Sequence, residues 1–285
     1  HASSLPHPPS PPTPTMTKGC PTIHFVWIVP PSDEAAVDTW VASHEAFMQE
    51  THSFGAGPEP CMLKYYIAKG KELNNPMNPE SGETGNFIYT MSEVYKTAAG
   101  IPAHMELAQP RDDGKLFGTL MEFNGKYGKW LDAGTASVFT NIADSETTSI
   151  TAKGQPTIHC VQKVPKADEQ NMDAYWKSHE EFMRATHVCS VDDSIKDEDT
   201  PRVTSFSINK GVVLNDPLDP ESGDSGFVSY TMSETYAAPS GIAGHFVKAP
   251  EHWPGFAELP EINEKYLLTI EIGSAVVANM GDKMK

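Results

Sequence analysis

Leu73-Asn-Asn-Pro-Met-Asn-Pro-Glu-Ser-Gly-Glu-Thr-Gly85 returns further along the chain as Leu214-Asn-Asp-Pro-Leu-Asp-Pro-Glu-Ser-Gly-Asp-Ser-Gly226. The match continues on both sides of this stretch. Gly19-Cys-Pro-Thr-Ile-His24 recurs as Gly154-Gln-Pro-Thr-Ile-His159, and Ser43-His-Glu-Ala-Phe-Met48 as Ser178-His-Glu-Glu-Phe-Met183. Thr51-His52 recurs as Thr186-His187, and Tyr89-Thr-Met-Ser-Glu-Val-Tyr95 as Tyr230-Thr-Met-Ser-Glu-Thr-Tyr236. Gly100-Ile-Pro-Ala-His104 recurs as Gly241-Ile-Ala-Gly-His245. The order is kept at a period of about 135–141 residues. That is too long for a solenoid repeat and suits a whole small domain.

Each copy spells the same elements. In the first, Thr22 to Pro30 alternates around Ile23, Phe25, Trp27 and Val29, as a strand does. Ser32-Asp-Glu opens a helix with a capping residue and early acids. That helix carries Val37, Trp40, Val41, His44, Phe47, Met48 and Thr51 on one apolar face. Cys61 to Lys69 is a second strand, followed by a long Asn/Pro/Gly-rich hairpin loop to Gly85. Phe87 to Tyr95 is a third strand, Gly100 to Ala108 begins a helix, Leu116 to Lys126 is a further short helix, and Trp130 to Phe139 is a fourth strand. The order β-α-β-β-α-β is the ferredoxin-like split unit, an α+β fold. Its sheet keeps one bare apolar face, which needs a partner. Two copies in one chain supply it: the antiparallel sheets are expected to pack into one intramolecular α+β barrel around an apolar interior. The domains expected are a disordered Pro-rich tail at 1–18 and half-barrels at 19–150 and 151–285.

The tail carries prolines at positions 6, 8, 9, 11, 12 and 14 and has nothing to bury. It begins at His1, as a processed terminus would. The chain has 285 residues and a formal charge of −17. Phosphate binding needs a basic face, so nucleic acid is excluded as a partner, and an anionic membrane surface with it. No stretch approaches the roughly 18–20 apolar residues of a spanning helix. Cys20, Cys61, Cys160 and Cys189 form no CxxC and read as ordinary thiols of a reducing compartment, the cytoplasm or an organelle interior. The expectation is a soluble protein with a small-molecule ligand, a pseudo-twofold monomer or a weak oligomer.

Met-Ser-Glu-Val-Tyr95 followed by a helix with His104 resembles the Glu-x-Tyr…Ala-x-x-x-His signature of the dimeric α+β barrel superfamily, in its antibiotic-biosynthesis-monooxygenase-like group. The resemblance covers nearly the whole chain from about Gly19, twice over. It implies a barrel normally made by dimerisation, here made within one chain. It also implies a range of activities: cofactor-free oxygenation of aromatic substrates, isomerisation, or haem degradation.

Eight of the eleven histidines fall in four matched pairs, His24/His159, His44/His179, His52/His187 and His104/His245. Histidine suits proton transfer near neutral pH and transition-metal binding. His44 and His179 lie on the apolar stripe of the first helix, as core side chains or as acid–base groups reaching a cavity. Glu93 and Tyr95, with Glu234 and Tyr236, share one strand face at i, i+2. The candidate catalytic set is therefore His44, Glu93, Tyr95 and His104 with His179, Glu234, Tyr236 and His245. Trp40, Met48, Tyr66, Tyr175, Met183 and Trp253 are the candidate substrate-binding side chains. The second-copy insert His252-Trp253-Pro-Gly-Phe256 walls one pocket, so the two pockets are expected to differ. No organic cofactor is expected. A metal or haem is the alternative, with His24, His52, His159 and His187 as weak metal candidates. His44 and His52 stand about 12 Å apart along a straight helix and cannot share an ion. The function expected is a small-molecule enzyme, a cofactor-independent monooxygenase or isomerase on an apolar or aromatic substrate held in an intra-sheet or barrel pocket. The alternatives are a non-catalytic carrier and a metal- or haem-dependent enzyme.

Overall fold

The computed structural model describes residues 16–142 and 151–284. The expected tail at 1–18 lies outside it up to residue 15, and so does the expected boundary at residue 150. Met16 is placed and buried, packed with Cys20, Leu63, Val94 and Val138.

The first part of the chain runs β1 (Pro21–Val29), α1 (Glu34–Thr51), β2 (Ser53–Phe54), β3 (Cys61–Leu73), β4 (Glu83–Tyr95), α2 (Gly100–Ala108), α3 (Lys115–Tyr127) and β5 (Gly128–Thr140). The second runs β6 (Pro156–Pro165), α4 (Glu169–Thr186), β7 (Val188–Cys189), β8 (Arg202–Leu214), β9 (Asp224–Tyr236), α5 (Pro239–His252), α6 (Leu259–Tyr266) and β10 (Leu267–Asn279). The helix expected to open at Ser32 begins two residues later. Pro31–Asp33 forms a 3-10 turn, and neither it nor α1 has a side-chain cap. The hairpin loop is shorter than expected, because β3 and β4 each extend to 13 residues.

All strands join one ten-stranded sheet in the order β10-β6-β9-β8-β5-β1-β4-β3-β2, with β7 beside β8. An additional β10–β3 pairing closes the eight long strands into a barrel. The order β5-β1-β4-β3 in the first part repeats as β10-β6-β9-β8 in the second. Two seams join the parts. Ala136 pairs with Gly211 and Ser137 with Lys210 in one, while Ala275 pairs with Lys69 and Val276 with Ala68 in the other. Gly211 and Gly70 sit at matched seam positions. A Cβ on Gly211 would lie 2.5 Å from the Ala136 Cα, and one on Gly70 would lie 2.2 Å from the Ser274 Oγ.

The outer face of the barrel packs beneath the helices in two apolar clusters. Phe25, Trp27, Trp40, Phe47, Met48, Tyr89 and Tyr95 belong to the first, and Trp176, Phe182, Met183, Phe206, Tyr230 and Tyr236 to the second. The expected apolar interior is corrected. Alternate residues on each strand turn inward, and many of them are polar: Thr22, His24, Lys64, Tyr66 and Ser92 from the first part meet Thr157, His159, Ser207 and Ser233 from the second, all fully buried. Lys64 Nζ donates to Ser207 Oγ at 3.2 Å and to Ser233 Oγ at 2.8 Å, and the Tyr66 hydroxyl is 2.5 Å from Ser233 Oγ. Polar side chains thus bind the two parts to each other across the interior.

Candidate active site between sheet and helices

The Glu-x-Tyr pairs face outward toward the helices. Glu93 and Tyr95 therefore meet His44 of α1 and His104 of α2. Glu234 and Tyr236 meet His179 of α4 and His245 of α5. The expected pocket inside the barrel is corrected accordingly: the matched side chains converge on the other face of the sheet.

In the second half, the Tyr236 hydroxyl donates to Glu234 Oε2 and stands 2.9 Å from His245 Nδ1. His179 Nε2 lies 3.7 Å from Glu234 Oε1. His187 follows the last turn of α4 and backs His245, with its Nε2 3.2 Å from His245 Nδ1. A helix carbonyl sets the tautomers. The Phe182 carbonyl can only accept, so the Thr186 hydroxyl donates to it at 2.8 Å. The Thr186 oxygen then accepts from His187 Nδ1–H, also at 2.8 Å. His187 Nε2 is left as an acceptor for His245 Nδ1–H, and His245 Nε2 keeps a free lone pair. The first half repeats the chain: Thr51 donates to Phe47 O at 2.7 Å, His52 Nδ1 is 2.8 Å from Thr51, and His52 Nε2 is 2.9 Å from His104 Nδ1. Tyr95 donates to Glu93 Oε2 at 2.6 Å.

Burial dominates the electrostatics of both clusters. It pushes Glu93 up to about 8 and Glu234 up to about 7, with the Tyr95 and Tyr236 hydroxyls pulling the other way. It drives His104 down to about 4 and His245 down to about 3. Burial also lowers His44 and His179 well below the usual imidazole range, and the neighbouring imidazoles add to it. At neutral pH the histidines are neutral, and the carboxyls sit close to their titration point. A carboxyl poised near neutrality beside a neutral imidazole is suited to proton exchange with a bound molecule.

Three substitutions make the halves unequal. Tyr65 places its hydroxyl 2.9 Å from His44 Nδ1, whereas Phe206 leaves His179 Nδ1 sealed without a partner. Phe25 and Trp27, stacked at 4.0 Å, fill the space between sheet and helices in the first half. Cys160 and Gln162 occupy those positions in the second, and the space stays open. A cavity of about 40 Å³ results, lined by Cys160, Trp176, His179, His245, Trp253 and Phe256 among others. Met77, from the hairpin loop of the first half, also lines it. Glu234 Oε1, near His179, has no hydrogen-bond partner among the described residues, and neither has Glu93 Oε1 in the first half.

Of the expected substrate-binding residues, Trp253 lines this cavity, and Tyr175 packs against Trp253 with ring centroids 5.2 Å apart. Trp40 is held in the first core by a 3.0 Å bond from Nε1 to the Leu116 carbonyl. Met48 and Met183 are fully buried core residues. Tyr66 lies inside the barrel, one residue out of phase with Tyr65. His24 and His159 face each other there with ring centroids 5.9 Å apart, while His52 and His187 back the two clusters. Phe256 belongs to the insert expected to wall one pocket and does line it, whereas Met77, Cys160 and Trp176 were not expected there. Met77 left a trace: it and its counterpart Leu218 are apolar residues within polar turn segments.

No described helix is long and apolar enough to cross a membrane. No family model and no curated protein matches the chain. Among solved structures it is similar to an aldoxime dehydratase crystallised with butyraldoxime, at 8% identity over 93% of this chain and 82% of that one. The TM-score is 0.29, too loose a superposition to carry fold or function across.

Proposed function

We propose that the chain consists of two ferredoxin-like half-barrels, 19–150 and 151–285, and that it is a small-molecule enzyme working in the second. Its substrate is a small apolar or aromatic molecule bound between Trp176, Trp253 and Phe256, which must part to admit it, because about 40 Å³ is less than an aromatic ring needs. The observation that carries this reading is the joining of an aromatic cleft to a floor of His179 and His245 beside the unpartnered Oε1 of Glu234. The lone pair on His245 Nε2 acts as the base, Glu234 takes or returns a proton, and Tyr236 holds the carboxyl in place. The aromatic walls exclude water. The matched first-half cluster serves the fold, because its cleft is filled.

A panel of electron-rich phenols and small apolar carbonyl compounds tests this. Binding is followed by tryptophan fluorescence, and turnover by oxygen uptake and product analysis. Binding is expected to weaken at least tenfold in Cys160→Phe, which refills the cleft. Turnover is expected to vanish in His245→Ala and to persist in His104→Ala. Binding without turnover across the panel would make the protein a carrier. Turnover untouched by His245→Ala would overturn the assignment.

A further inference from the structure

We propose that His179, Glu234 and His245 form a two-histidine, one-carboxylate site for a divalent first-row transition-metal ion, in the second half alone. Among the described residues, these three each bring one donor atom within 4.8 Å of the others, and all three are buried. Ion bonds of about 2.0–2.2 Å require the donors to draw in slightly. Side-chain adjustment at the open cleft allows this.

The inference stands on donors left free, not on the mere presence of histidines. Glu234 Oε2 is taken by Tyr236, while Oε1 is fully buried and bonds to nothing. His179 turns Nε2 toward Oε1 at 3.7 Å, and its other nitrogen, Nδ1, has no partner among the described residues. The Nδ1–H of His245 is committed to His187 and Tyr236, so its lone pair sits on Nε2; the nitrogen nearest the carboxylate is Nδ1, 3.9 Å from Glu234 Oε2, and the ring must turn to bring Nε2 onto an ion. Metal-binding imidazoles are characteristically held this way, with the second nitrogen donating to a fixed acceptor that sets the tautomer. The carboxylate likewise has its hydroxyl partner. Two imidazole nitrogens and one carboxylate oxygen suit zinc, iron(II), cobalt(II) or manganese(II), whereas calcium prefers an all-oxygen shell. Three protein ligands leave coordination positions open, and the cleft leads to them.

The first half carries the same residue types and supplies an internal control. There Glu93 Oε1 is also unpartnered among the described residues and 3.8 Å from His44 Nε2, but Tyr65 occupies His44 Nδ1, and Trp40 stacks on the His44 ring at 4.9 Å and 21°. Phe25 and Trp27 close the approach. The chain is thus expected to bind one ion, not two.

A bound ion would occupy the His245 lone pair and the Glu234 carboxylate, so the acid–base roles given above belong to the ion-free chain, and ion binding is read directly. Untagged protein stripped with chelator is titrated with cobalt(II) chloride, and visible absorption and retained metal after gel filtration are measured. One retained equivalent with ligand-field bands is expected. Glu234→Gln, which keeps the shape of the side chain, and His245→Ala are expected to lose it. Glu93→Gln and His104→Ala are expected to keep it. If His245→Ala does not fold, Glu234→Gln carries the comparison. Failure of the wild-type chain to retain cobalt would overturn the site, as would retention in Glu234→Gln or two equivalents lost separately from each half. An aromatic ligand bound without any ion would leave the enzyme reading intact and remove the metal. An ion bound without any aromatic ligand would do the reverse.

Discussion

Tyr65 and Phe206 differ by one hydroxyl, and that oxygen decides whether the adjacent histidine is satisfied. Tyr65→Phe should destabilise the protein by about 1–3 kcal/mol, because it strands His44 Nδ1 in a buried site. Phe206→Tyr should stabilise it by about 0.5–1.5 kcal/mol by giving His179 Nδ1 the same partner. Urea unfolding midpoints of the two variants measure both signs, and a loss of stability in Phe206→Tyr would contradict the assignment. At the same scale, Thr186 sets the tautomer of His187 and through it that of His245. Thr186→Val should move part of the His245 population to the Nε2–H form. Two-bond nitrogen–proton NMR correlations of the ring report this directly, and an unchanged tautomer would refute the relay. The candidate residues were legible as matched pairs, since the motifs that carry them occur twice in the sequence. Their inequality was not, because it arises from neighbours in contact only after folding.

At the scale of elements, most strand and helix boundaries follow from apolar periodicity, and the structure departs from them by a few residues. The departures have local causes. Pro31 starts a 3-10 turn ahead of α1, and the β3–β4 hairpin keeps pairing through polar residues because backbone hydrogen bonds do not require apolar side chains. The seams between the two parts carry a sharper requirement. Gly211 admits no Cβ without moving the Ala136 backbone, so Gly211→Ala should cost about 1–3 kcal/mol, the usual range for overpacking. Gly70→Ala should cost less, because Ser274 Oγ is a side-chain atom able to rotate away. Thermal unfolding of the pair tests the order. Equal losses would show that the seam bends more readily than its contacts imply. Which strands form the seams depends on register between distant segments, and alternation within a strand carries no such information.

For the molecule as a whole, burial of ionisable groups dictates the response to pH. Eight buried histidines have lowered pKa values: His24, His44, His52, His104, His159, His179, His187 and His245. Unfolding frees them to take up protons below about 6.5. Four buried carboxyls, Glu93, Asp132, Glu234 and Glu271, are raised and act in the opposite sense, since the folded state holds their protons at pH values where the unfolded chain has released them. The histidines outnumber them, so stability should fall as pH drops from about 6.5 toward 4. Each excess proton contributes about 1.4 kcal/mol per pH unit. Above about 6.5 the carboxyl effect remains, but Lys64 opposes it: burial lowers Lys64 to about 7, and the unfolded chain keeps that proton up to about 10.5, so stability should level off. Urea midpoints should therefore rise from pH 4 to about 6.5 and change little from there to 8.5, and a flat profile below 6.5 would mean that the histidines are not held neutral. The sequence by itself determined the doubling, the α+β pattern of each copy and the pairing of the histidines, because these rest on local periodicity and on direct comparison of two stretches. Tertiary structure alone decided that the Glu-x-Tyr face meets the helices, that the barrel interior is polar, and that only the second cluster opens to a cleft. Those outcomes depend on which side of a closed sheet each strand face takes and on how much space Phe25 and Trp27 fill where Cys160 and Gln162 do not.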